Sequence, residues 1–139
     1  MAPPSRTLAD RGSRLTEPGP AVQRVQNFAE EWYEAWNSHD LDRILSHYRE
    51  DATLRSPMVG AITGREDGIV VGREALASYF SRGLETYPDL RFDPIALFIG
   101  VGSVVLHYRS VRGLQTAEVM GLDPYLRVKT VMAHYDRLP

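Results

Sequence analysis

The 139-residue chain contains no cysteine. That absence removes disulfides, thiol nucleophiles, iron–sulfur clusters and the usual structural zinc sites, and it suits a reducing, cytoplasmic setting. A basic excess is missing too: 16 Lys and Arg face 18 Asp and Glu, for a formal net charge of -2. No electrostatic footprint for nucleic acid follows from that balance. The longest apolar run, Ile95 to Gly102, is far short of a bilayer span, so neither nucleic acid nor membrane is an expected partner. The Gly64-Arg65-Glu66-Asp67-Gly68 stretch lacks the spacing of a phosphate loop, and no repeat of 20 to 50 residues is visible.

What is present is a domain of ordinary size with a hydrophobic share of 43% and a charged share of 24%. It can bury a core without covalent or metal staples. Residues 1–20 are rich in Pro, Gly, Ser and Arg and carry no apolar signal-peptide core, so they read as an N-terminal extended arm. Such an arm is either disordered or packed on a neighbouring subunit. Residues 21–139 form the folded domain.

Within that domain, Val22, Val25, Phe28, Ala29, Trp32, Tyr33 and Trp36 recur at three- and four-residue steps and predict a helix from Ala21 to Asn37. Asp40 is the predicted cap of a second helix, Leu41 to Tyr48. Asp51 to Val59 alternates weakly and contains Pro57, so it reads as a short edge strand or extended segment, and Gly60 to Gly72 as a long loop. Arg73 to Tyr87 is a third helix, stopped by Pro88. The period then changes to two over Leu90–Ile99, Ser103–Arg112, Leu114–Leu122 and Leu126–Asp136. Helices first and a meander of strands afterwards predict an α+β fold.

The most informative stretch is the final hairpin, Ala117 to Asp136, around Asp123-Pro124. Arg127 and Lys129 belong in water, which turns Leu126, Val128, Thr130, Met132 and His134 toward the core. Met120 and Leu122 make the face of Glu118 apolar. Glu118, Arg109 on the neighbouring strand and His134 are therefore the candidate catalytic set. Histidine titrates near neutral pH and can act as a general base, and a carboxylate among apolar residues is desolvated unless paired. The alternatives are a core histidine and a structural Glu118–Arg109 ion pair. A three-residue hairpin loop puts Glu118 and His134 on one face; a four-residue loop separates them. His107 shares the face of Arg109. With His134 and Glu118 it has the composition of a two-histidine, one-carboxylate metal set, but the spacing matches no metal signature and no metal is expected. His39 and His47 read as surface or capping residues.

The ordered set WNSHDLDRI, YREDATLRSP, GREALASYF, YPDLRF, HYRSVRG and AEVMGLDPYLRVKTVMAHYD resembles the SnoaL-like branch of the nuclear transport factor 2-like superfamily over about residues 22–136. That resemblance implies a cone-shaped, curved antiparallel sheet wrapped around three N-terminal helices, with an apolar pocket at its open end. It implies cofactor-independent acid–base chemistry of the isomerase, cyclase or epoxide hydrolase type on an apolar small molecule. The other reading is a noncatalytic ligand-binding or dimerisation module.

By the same resemblance, the isomerase base falls on Ser56, its oxyanion tyrosine on Trp32 and its second acid on Glu118. The hydrolase aspartate of the last strand falls on His134. The hydrolase arginine falls on Arg109, and the aspartate beside it on Val111. Trp32, Leu54, Ser56, Met58, His107, Met120 and Met132 are the candidate ligand-binding residues. A homodimer is expected through the convex sheet face, with Tyr108, Val131 and Tyr135 as its candidate residues.

Overall fold

A computed structural model describes residues 19–139. The expected N-terminal arm, residues 1–20, lies outside the described residues except for Gly19 and Pro20.

Helix α1 (Pro20–Asn37) starts with Pro20 in its first turn, where a missing N–H costs nothing. It buries Phe28, Ala29, Trp32, Tyr33, Ala35 and Trp36 along one face. The chain reverses through His39 (φ 57°), and the Asp40 carboxylate accepts from Arg43 N at 3.1 Å to cap α2 (Leu41–Leu45). This second helix is shorter than predicted, because Tyr48 already belongs to a strand. Strands β1 (Tyr48–Arg55), β2 (Ile69–Val71), β3 (Asp93–Ile99), β4 (Ser103–Arg109), β5 (Gln115–Leu122) and β6 (Val128–Tyr135) make one curved, unclosed sheet in the order β2-β1-β6-β5-β4-β3. The β1–β6 pair is parallel and the other four pairs are antiparallel. Helices α3 (Pro57–Thr63) and α4 (Arg73–Thr86) complete the inner layer.

Two expectations need correction. The segment Asp51 to Val59 is not an edge strand: β1 lies between β2 and β6, and Pro57 opens a helix instead of ending a strand. The Ser56 hydroxyl accepts from Met58 N at 3.1 Å as the N-cap of α3. Consequently Gly60 to Gly72 is not one long loop, since it holds the rest of α3, a turn through Gly64 at φ 77° and the short strand β2.

Two polar clamps fasten the end of α1 to the segment ahead of β3. The Asn37 amide donates to Phe92 O at 2.9 Å and accepts from Phe92 N at 2.7 Å. His39 Nε2 lies 2.8 Å from Leu90 O, so His39 is a bracing residue beneath the surface loop. His47 is half-buried, its ring packed edge-on against Phe28. These clamps hold Phe92 against Trp32 and Trp36, with ring centroids 5.6 and 5.3 Å away.

Candidate functional site

Glu118 is the one acidic residue buried on the inner face of the sheet among the described residues; it retains 7% exposure. Its strand neighbours are Leu106 on β4 and Ala133 on β6, both buried. Directly paired residues of an antiparallel ladder share a face, so Glu118 belongs with Val104, Leu106 and Tyr108. The Tyr108 hydroxyl donates to Glu118 Oε2 at 2.7 Å. Oε1 has no hydrogen-bond partner among the described residues.

The carboxyl reaches a cavity between the inner sheet face and the helices. Its walls come from α1 (Trp32, Trp36), the β1–α3 junction (Leu54, Ser56, Met58), α4 (Tyr79, Phe80) and the strands (Tyr108, Tyr135). The free space is about 540 Å³ counted out to the mouth, but only about 60 Å³ is wide enough for a water-sized sphere to move in. The cavity is therefore slender and mainly apolar, with one carboxyl and several hydroxyls.

Burial pushes the Glu118 carboxyl up to about 7, and the Tyr108 hydrogen bond opposes that rise only partly. Near neutral pH the group exists in both protonation states, which is the condition for taking and returning a proton. The surrounding tyrosines are raised as well, which keeps them protonated as hydrogen-bond donors. Tyr33, Tyr48, Tyr108 and Tyr135 are raised first by burial and then by the negative charge of Glu118, and Tyr79 by burial, then by Tyr135 and Glu118. Trp32 Nε1 donates to the Tyr48 hydroxyl at 3.0 Å, which fixes the indole as a wall.

Several predicted site residues lie elsewhere. His134 is exposed on the outer face, with Nδ1 3.2 Å from Met132 O and 3.3 Å from Ala117 O. Met132, at 46% exposure, is also outside. The hairpin loop is the three-residue kind: Leu126 at φ 60° closes a turn, and Asp123 N donates to Arg127 O. That loop alone would join Glu118 and His134 on one face. A bulge undoes it. Leu122 pairs with Val128, but Gly121 pairs with Thr130, so Lys129 is an extra residue and every later side chain of β6 is turned over.

The same inversion brings Val131 and Tyr135 inward, away from the convex interface predicted for them. Val131 is 2% exposed, and Tyr135 lines the cavity. Tyr108 is likewise inside rather than on that interface.

Arg109 and His107 do share a face, but it is the outer one. Arg109 is exposed, and His107 Nε2 lies 3.0 Å from Gln115 Oε1. Neither the Glu118–Arg109 pair nor the two-histidine metal set exists, and no group of three metal-ligating side chains forms among the described residues. Trp32, Leu54, Ser56 and Met58 do line the cavity, whereas Met120 is fully buried in the core and forms no part of its wall. The residues that sequence reasoning missed are chiefly Tyr108 and Tyr135. The rule that turned Arg127 and Lys129 toward water, applied to Arg109, would have turned Tyr108 inward.

A family profile described as a SnoaL-like domain matches residues 29–133. A solved SnoaL-like protein of unknown function from Burkholderia thailandensis is 43% identical, with a TM-score of 0.76 over 81% of this chain and 93% of that one. A cystatin-like fold protein from Methylobium petroleophilum is 16% identical, with a TM-score of 0.65 over 81% and 75% of the two chains. SalBIII, an epoxide hydrolase/cyclase-like enzyme of pyran ring formation in the polyether salinomycin, is 18% identical, with a TM-score of 0.64 over 81% and 91%. No curated protein matches the chain. The extent of the profile match, on a fold of this kind, establishes that the chain belongs to the SnoaL-like domain family.

Proposed function

We propose that this chain carries out cofactor-independent proton transfer on an apolar carbonyl compound, with Glu118 as the group that moves the proton. The observation that carries the reading is an inward carboxyl, raised to about 7, in a cavity walled by aromatic and aliphatic side chains. Ionised Glu118 would take a proton from the carbon next to the carbonyl, and the electron pair would move onto the carbonyl oxygen as an enolate. The resulting carboxylic acid would return the proton to another carbon, giving the isomer; in the cyclase variant the enolate carbon would bond to a second carbonyl carbon of the same substrate, and the acid would protonate the alkoxide left when that C=O π bond opens. Tyr108 holds Oε2 and leaves Oε1 to face the substrate; a hydroxyl such as that of Tyr79 or Tyr135 would donate to the enolate oxygen.

An epoxide hydrolase relay with two carboxylates and an arginine has little support, because Arg109 faces outward. That favours isomerase or cyclase chemistry over water activation. The test is deuterium exchange from D₂O into β,γ-unsaturated cyclic ketones, followed by NMR. Wild-type protein should accelerate exchange over buffer, and Glu118→Gln should lower that rate by 10² or more. Ketones that bind without exchanging would leave a noncatalytic pocket, and exchange unaffected by Glu118→Gln would remove the proposed role.

The expected homodimer is kept with different residues. Phe98, Val105, Val119 and Met132 pair in one row across four strands on the outer face, with Phe98 59% and Met132 46% exposed. Such a row supports self-association through this face. Light scattering should give twice the monomer mass for the wild type and a monomer for Phe98→Glu. No helix among the described residues is long and apolar enough to cross a membrane.

A further inference from the structure

We propose that the cavity also recognises a cation, a slender quaternary or protonated amine held between aromatic rings with Glu118 as its counter-charge. Taking a carboxylate out of water costs several kcal/mol, which proteins usually offset with a buried Arg or Lys. Here the described cavity lining contains no Arg, Lys or His, and the one hydrogen bond to Glu118 comes from a neutral hydroxyl. The titratable groups around it are all tyrosines: Tyr33 from α1, Tyr48 from β1, Tyr79 from α4, Tyr87 at the end of α4, Tyr108 from β4 and Tyr135 from β6. None can become a cation.

The walls add to this preference. Eight of the seventeen lining residues are aromatic, among them Trp36, Phe80 and Phe92. Aromatic faces attract ammonium groups, and do so most strongly where water is excluded. A positive ligand would therefore meet both a ring of negative π faces and an uncompensated carboxylate. A neutral ligand of the same shape would gain only the apolar contact. The inference shares its cavity with the proton-transfer reading but does not depend on it, since a quaternary ammonium ion has no proton to transfer.

The experiment compares phenyltrimethylammonium with its neutral isostere tert-butylbenzene by quenching of Trp32 and Trp36 fluorescence. At pH 8.5 the cation should bind at least tenfold more tightly than the isostere. Its affinity should rise between pH 6 and 8 as Glu118, held at about 7, ionises. Glu118→Gln should abolish the preference. Glu118→Asp, which retains a carboxylate, should keep it, and the rise of wild-type affinity with pH serves if the first variant fails to fold. Equal binding of the two probes at pH 8.5, a preference that survives in folded Glu118→Gln, or a wild-type preference that does not change between pH 6 and 8 would overturn the proposal. Ketone exchange is read separately, so either reading can fail alone.

Discussion

Replacing Glu118 by Gln should change how stability depends on pH, with a sign opposite to that of most carboxylates. The Glu118 carboxyl has an ordinary value of 4.5 and is raised by burial to about 7 in the folded protein. Between those values the folded state holds the proton while the unfolded chain releases it, so wild-type stability falls as pH rises and levels off above about 7. At about 1.4 kcal/mol per pH unit, that interval corresponds to roughly 3 kcal/mol. Gln keeps the shape and an oxygen to accept from Tyr108, but its amide adds a buried donor that costs about 1 kcal/mol. The variant should be slightly less stable than wild type at pH 5 and about 2 kcal/mol more stable at pH 8.5, so the two curves cross. For a domain of this size the wild type should lose on the order of 10 °C in Tm from pH 4.5 to 8.5 relative to the variant. Thermal melts followed by circular dichroism at half-unit pH steps would show it. Parallel curves for the two proteins would refute the reasoning, because they would mean that Glu118 titrates alike in the folded and unfolded states.

Other substitutions test the surroundings of that carboxyl. Tyr108→Phe removes the hydroxyl that favours the charged form, so Glu118 should titrate above about 7. That variant should also lose roughly 1–3 kcal/mol, more at pH 8.5 than at pH 5, in denaturant unfolding. Gly121→Val tests the bulge: a Cβ at Gly121 would run into Thr130 Oγ1, and the overpacking should lower stability by roughly 1–3 kcal/mol in the same assay. Arg109→Ala and His134→Ala, both exposed on the outer face, should leave ketone exchange within twofold of wild type. A hundredfold loss in either would return that residue to the site.

The fold was largely legible because its signals repeat. Six apolar residues of α1 fall on one helical stripe, and the period-two strands from residue 90 onward are long enough to average out single exceptions. Glu118 was legible for the same reason, since Met120 and Leu122 fix the face of β5 on which it lies. His134 was not, because one extra residue at Lys129 reverses the alternation that placed it. The available hint was Gly121, an isolated glycine inside a strand, which often marks a bulge or a close backbone approach. Helix α3 was hidden by Pro57. Read as a strand breaker, it ends β1; read beside Ser56 as a cap and Gly64 as a stop, it starts a helix. Tyr108 was misplaced because an attractive pairing of Arg109 with Glu118 overrode the simpler requirement that a charged residue face water.

The central claim is that one buried carboxyl at the bottom of an aromatic cavity titrates near neutrality. The most direct measurement is a ¹³C NMR titration of glutamate side-chain carboxyls, with the Glu118 resonance assigned by its disappearance in Glu118→Gln. A midpoint of about 7 is expected for Glu118. A midpoint at the ordinary value of 4.5 would mean that water or a counter-charge reaches the group, and would contradict the account.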